Sequence, residues 1–302
     1  MKKVNILKKF IVALGVTAIV AGSLAGCGAK EDTANDGATT EETVTDATTE
    51  GATEAAVVEE VTLKIGATTT PHAEILEVAR PILEERGIEL EIVEYTDYVA
   101  PNNAVAAGDL DANFFQHAPY LENFNEENGT SIVIAGYVHY EPLGIYAGVS
   151  SDITDIAEGA KIAVPNDTTN GARALLLLEA NGIITLREDA GLNATKQDVE
   201  ENPKNIEIIE LEAAQVSRVI EEVDFVVLNG NYALLAGLNV AGDALAKEEK
   251  DSDAAQTYAN LIATNEGREN EQAIQILLEV LNSDEIKNFI EENYGGAVLP
   301  IN

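Results

Sequence analysis

The sequence predicts an α/β protein, and three observations carry that reading. Short runs that alternate apolar and polar residues, such as Val61-Thr-Leu-Lys-Ile-Gly-Ala67, take turns along the chain with longer stretches of helical period. The connections between them are short, as in parallel β-α-β units. Several strand patterns also end in Asn, His or Thr just before a helix start, the kind of junction at which open α/β sheets bind small ligands.

In chain order, the strand at 61–67 ends in Thr68-Thr-Thr-Pro-His72, and Pro71 is expected to open a helix that runs to Arg86 and stops at Gly87. Here His72 reads as a capping or rim residue. Ile88 to Val93 is the second strand, followed by a helix from Pro101 to about Gly108. Asp111-Ala-Asn-Phe-Phe-Gln-His117 begins as a strand and turns into a helix at Ala118-Pro119. Ile132 to Val138 and Leu143 to Val149 read as two more strands, the second leaving the first lobe. Lys161 to Pro165 restarts the pattern and leads to a helix over 171–181 closed by Gly182. Strands follow at 205–211 and 224–229, with helices at 215–222 and 232–237. The segment 241–253 reads as irregular and 258–264 as a returning strand. Ile274, Leu277, Leu278 and Leu281 form one helical face, and a further helix follows Ser283.

The ends of the chain speak to location. Lys2, Lys3, Lys8 and Lys9, an apolar run from Phe10 to Val20 and Leu24-Ala-Gly-Cys27 describe an export signal over 1–26. The apolar run is short for a membrane span of roughly 20 residues. Cys27 is the sole cysteine, and by resemblance to the bacterial lipobox it becomes the lipidated N-terminus. Residues 28 to 60 are rich in Thr, Ala and acid and carry no periodicity, so 27–60 reads as a lipid-bearing disordered tether. With 53 acidic against 18 basic residues the net charge is −35, which excludes nucleic acid as a partner.

Nine of the fifteen aromatic residues fall between Tyr95 and Tyr146, together with His117 and His139. Tyr98, Phe115, His117, Tyr120 and His139 are candidates for one pocket wall, since rings with polar tips suit a small amphiphilic ligand. Individually they read equally well as core. Arg173 falls in the expected first turn of the helix at 171–181, where a cation opposes the helix dipole, so a negative partner is expected. That partner is a ligand carboxylate or one of the many acids. Asn170 caps that helix, touches the ligand, or does both. Asn229 and Asn231 flank Gly230 at the other strand-to-helix junction, where an amide offers both a donor and an acceptor.

DANFFQHAPYL (111–121), TDYVAPN (96–102), HYEPLGIYAG (139–148), PNDTTNGARAL, ENPKNIEI, LNGNYAL and the terminal GGAVLP resemble the methionine-binding lipoprotein family, substrate-binding proteins of ABC importers. The resemblance covers nearly everything from about residue 61 to the end. It implies a two-lobed fold of the periplasmic-binding-protein kind, with two crossover strands and a ligand cleft. Lobe 1 would span 61–148 and 255–302, and lobe 2 would span 149–254. It further implies a monomer without cofactor, anchored through lipid on Cys27 to the extracytoplasmic face, that passes L-methionine to a permease and ATPase complex. Arg173 would hold the ligand's carboxylate, and Asn229, with Asn231 second, its amino and carboxylate groups. Tyr140 stands where the family usually has an aliphatic residue, and Thr168 where it usually has proline.

Two other classes compete with this reading. A zinc lipoprotein could use His72, His117 and His139 with a carboxylate, yet no two histidines share metal-site spacing. An enzyme lacks support: there is no G-x-S-x-G, H-E-x-x-H or phosphate-binding glycine loop, and Ser151 and Ser217 have no partner pattern. Within the binding class, another small amino acid or a methionine-containing dipeptide is the alternative ligand.

Overall fold

The computed structural model describes residues 61–250 and 256–301. The export signal, Cys27 and the tether lie outside the described residues. The chain forms β1 (Val61–Thr68), α1 (Glu74–Glu84), β2 (Ile88–Tyr95), α2 (Ala100–Ala107), β3 (Ala112–His117), α3 (Ala118–Asn128), β4 (Ile132–Tyr140) and β5 (Gly144–Ala147). It continues through β6 (Lys161–Pro165), α4 (Thr168–Ala180), β7 (Thr185–Leu186), β8 (Val199–Glu201), β9 (Glu207–Leu211), α5 (Ala213–Val216), β10 (Phe225–Leu228), α6 (Gly230–Leu235) and β11 (Ala244–Lys247). The last elements are β12 (Ala259–Asn265), α7 (Gln272–Leu281), α8 (Asp284–Tyr294) and β13 (Leu299–Pro300).

Two sheets result. The first has the order β13-β4-β12-β3-β1-β2 and the second β11-β5-β10-β6-β9, with β7 and β8 as a separate small pair. In the first, β1 lies parallel to β2 and β3, while β12 is antiparallel to both β3 and β4. In the second, β6 lies parallel to β9 and β10, while β5 is antiparallel to β10 and β11. The chain passes between sheets twice, from β4 to β5 through Glu141-Pro-Leu143, and from β11 to β12. The protein is thus two-lobed α/β with two crossovers.

Burial follows the sheet geometry. In β10 all four residues are buried: Val226 and Leu228 join the core that also holds α1 and α7, while Phe225 and Val227 face the core under α4. The apolar face of α7 packs its Ile274, Leu277 and Leu281 into the first core. Ser283 caps α8 by accepting from the Ile286 N–H.

Several boundaries differ from expectation, each for a local reason. The first helix opens at Pro71 as expected, after an extended Thr70 (φ −131°, ψ 141°), but its first residues to Ala73 form a wider π-type turn that runs into α1 at Glu74. The strand assigned to the end of lobe 1, Leu143 to Val149, shortens to β5 and pairs within the second sheet. The segment 241–253, read as irregular, contains β11, which borders β5. Helix α4 begins at Thr168, since Asp167 takes the Asn170 N–H at 2.9 Å and so serves as its cap. Asn170 is therefore not the cap, and Arg173 lies beyond the first turn.

Leu277 has no exposed surface. Leu277→Ala is expected to cost about 2–5 kcal/mol in urea denaturation, without changing the secondary-structure content seen by circular dichroism.

Candidate functional site

The ends of strands from both sheets converge on one enclosed cavity. From the first sheet, β3 brings Phe115, Gln116 and His117, α3 adds Tyr120, the loop after β2 adds Tyr98, and β12 adds Asn260. From the second, α4 brings Asn170 and Arg173, and the β10–α6 junction brings Asn229, Gly230 and Asn231. Glu141 enters from the first crossover. The cavity has room for about 20 Å³ of water centres, enough for about one water. Any larger ligand enters with movement of the two lobes or of the rings that line it.

One wall is aromatic. The Tyr98 ring lies tilted against Phe115 at 5.6 Å and Tyr232 at 5.0 Å, and meets Tyr120 edge-on at 5.7 Å, between ring centroids. Burial pushes the phenols of Tyr98, Tyr120 and Tyr232 up, so they stay neutral donors. Behind this wall Gln116 donates to Asn102 at 2.7 Å and Asn113 at 2.8 Å, and Asn102 donates back at 2.9 Å. This buried amide cluster fixes the end of β3.

The opposite wall is amide-rich. His117 Nδ1 accepts from the Tyr120 N–H at 3.2 Å, so the ring proton is on Nε2, which donates to Asn170 Oδ1 at 3.1 Å. Asn229 donates to the same oxygen at 2.7 Å, and Asn229 Oδ1 is buried without a partner. Tyr98 donates to Asn231 Oδ1 at 2.6 Å, and Tyr232 to the Thr96 carbonyl at 3.2 Å. The His117–Asn170, Tyr98–Asn231 and Tyr232–Thr96 contacts join the two halves.

Arg173 is 3% exposed, and its partner is internal. Nε and Nη2 donate to the two carboxylate oxygens of Glu248 at 2.8 and 2.6 Å, and Nη2 also reaches the Glu141 carbonyl at 2.9 Å. None of these bonds uses Nη1. The guanidinium also lies 4.2 Å from the Tyr258 ring centroid. Burial pushes the Glu248 carboxyl up, but the Arg173 charge and hydrogen bonds outweigh it and hold it below the usual range.

Two histidines depart from expectation. His139 does not line the cavity; it has no exposed surface, and its Nε2 lies 2.8 Å from Glu141 Oε1. Nor is His72 at a rim: it is 1% exposed, with Nδ1 at 2.7 Å from Thr68 Oγ1. Both meet Glu141, and one atom from each of the three falls within a 4.8 Å group. His117, weighed above as a third metal ligand, lies outside that group. Glu141 and Asn260 escaped the sequence reading, while Gln116 and Gly230 were placed at the two strand-to-helix junctions without a site role. Glu141 stands two residues beyond His139 in the motif that was singled out, and its charge beside an aromatic run was the available signal.

The model of the NlpA lipoprotein family matches residues 63–302. The chain belongs to that family. It is 42% identical over 241 residues to the methionine-binding lipoprotein MetQ of Bacillus subtilis, covering 78% of this chain and 87% of that one. A lipoprotein structure from Ruminococcus gnavus is 61% identical with a TM-score of 0.79, covering 80% of this chain and 99% of that one. A nutrient-binding protein from Burkholderia cenocepacia, bound to methionine, is 41% identical with a TM-score of 0.75, covering 79% and 99%. A Coxiella burnetii structure, 38% identical with a TM-score of 0.75 and covering 79% of this chain and all of that one, is an ABC transporter periplasmic substrate-binding protein.

In this NlpA-family chain burial drives the imidazoles of His72, His117 and His139 down from 6.5, to about 4, about 3 and about 3. Below pH 6.5 the unfolded chain binds protons that the folded one excludes, so stability is lost as pH falls. Each histidine contributes up to about 1.4 kcal/mol per pH unit. Glu141, raised by burial, works in the opposite sense at lower pH. Urea denaturation between pH 6.5 and about 5 is expected to show this loss, with a shallower slope in His117→Gln.

Proposed function

We propose that this protein is a lipid-anchored, extracytoplasmic receptor that captures L-methionine and delivers it to an ABC importer, with binding and release as its whole chemistry. Family membership, and a relative with methionine bound at 41% identity over nearly its full length, support the reading. The observation that carries it is the cavity between the two sheets, with an aromatic wall facing one cation and one unpartnered amide acceptor, Asn229 Oδ1. A thioether packs well at ring edges, so Tyr98, Phe115 and Tyr120 receive the side chain. Arg173 takes the carboxylate through the guanidinium edge left by Glu248, and Asn229 Oδ1 accepts from the amino group. Anchoring by Cys27 and activity as a monomer complete the proposal, and no cofactor enters it. The lobes follow the sheets, with β5 and β11 counted in the second.

Protein expressed from residue 28 onward and then denatured is expected to release methionine in near-stoichiometric amount by mass spectrometry. A different amino acid or a dipeptide would move the specificity, and a released metal with no amino acid would reject the reading. Arg173→Lys keeps the charge and loses the two-pronged fork. It is expected to lower methionine affinity at least about tenfold by calorimetry, or about 1.4 kcal/mol, with thermal unfolding still cooperative. Arg173→Ala is the poorer test, because it strands the buried Glu248.

A further inference from the structure

Glu141 is the only carboxylate among the residues lining the cavity, and Arg173 the only cation. Arg173 is already neutralised by Glu248, with which it pairs at 2.6 Å. It meets Glu141 through the backbone carbonyl, at 2.9 Å. Glu141 is 5% exposed, so its carboxylate carries its charge at a desolvation cost that the Arg173 charge only partly offsets.

It is nonetheless held in place. His139 Nε2 approaches Oε1 at 2.8 Å and His72 Nε2 approaches the same oxygen at 3.3 Å. His72 Nε2 faces two acceptors, Glu141 Oε1 and Asn260 Oδ1 at 3.2 Å, while Nδ1 takes the Thr68 hydroxyl at 2.7 Å. The proton is therefore on Nε2, and both rings are neutral donors. They orient the carboxylate without cancelling its charge. On the other side Oε2 lies against Gly230, where a Cβ would come within 2.6 Å, and the Asn231 N–H bonds the carboxyl. Only glycine leaves Glu141 room at that point. Because Gly230 follows Asn229, the carboxylate comes to rest beside the residue whose Oδ1 is buried and unpartnered.

We propose that Glu141, held by His72 and His139, is the residue that selects ligands with a free α-ammonium group. The inference rests on the amino-acid-receptor reading above and names what that reading leaves open. A carboxylate accepts at about four lone-pair sites, and three N–H donors occupy Glu141. A ligand ammonium fills the remaining site, bridges to Asn229 Oδ1 and supplies the missing positive charge. With Arg173 and Glu248 cancelling, Glu141 leaves the site one negative charge. A zwitterion whose ammonium lies against Glu141 is therefore accepted, and an α-hydroxy or N-acylated acid of the same shape is rejected. His72 and His139 are positioning residues.

The test is calorimetry on the folded chain with L-methionine and with its α-hydroxy analogue, which keeps carboxylate, shape and thioether. Wild type is expected to favour methionine. Glu141→Gln is expected to lose about 10–100-fold for methionine, the range for hydrogen bonds between charged groups. It is expected to change less than about threefold for the hydroxy acid on the same basis, so that the ratio collapses. His139→Gln, which keeps an amide donor, is expected to lower the ratio by a smaller factor and serves if Glu141→Gln does not unfold cooperatively. Methionine binding by wild type with an unchanged ratio in both variants would overturn this inference alone. No amino-acid binding by wild type would overturn the receptor reading with it. A thermal shift on adding zinc, lost in His72→Gln and His139→Gln, would also overturn it, by making the three side chains ligands of a cation.

Discussion

Arg173 and Glu248 are both nearly buried, and the rest of the site depends on their pairing. Two charges taken out of water are stable together only when geometry and hydrogen bonding are close to complete. That condition is met. The Glu248 carboxylate receives Nε and Nη2 of Arg173, the Tyr140 hydroxyl at 2.6 Å and the Leu143 N–H at 2.9 Å. These donors come from α4, from the end of β4 and from the first crossover, while Glu248 itself follows β11 at the start of the second. One carboxylate therefore ties both crossovers to the helix that carries the cation. The guanidinium is held at the edge of the cavity because it has no freedom to go elsewhere.

Tyr140 takes part in that network. Its hydroxyl adds a donor to Glu248 and its ring lies 6.0 Å from the guanidinium. Tyr140 thus acts on Arg173 through Glu248 and is not part of the cavity lining.

Around this ion pair the site is built from neutral groups. His72, His117 and His139 are all buried enough to lose their charge. Asn170 joins the halves by accepting from His117 and Asn229 through one oxygen. Neutral donors and acceptors orient one another without the desolvation penalty of full charges. The few net charges that remain can then discriminate between ligands.

The alternation of strand and helix patterns, the αL glycine after α4, and the amphipathic face of α7 were legible in the sequence because each depends on residues close in the chain. So were Phe115, His117 and Tyr120, which a single strand-to-helix junction delivers together. The partner of Arg173 was not legible: 75 residues separate it from Glu248, and in a chain with 53 acids composition does not single one out. Likewise His139 reads as a pocket residue until β12 and the turn before α1 bring Asn260 and His72 around Glu141. The move of β5 into the second sheet was hidden for a related reason, since a short apolar run does not say which sheet edge it completes. Local sequence determined the elements and the chemistry available at their ends. Which distant groups neutralise or orient one another was decided only by the tertiary structure, because burial and pairing depend on what the folded chain brings within a few ångströms.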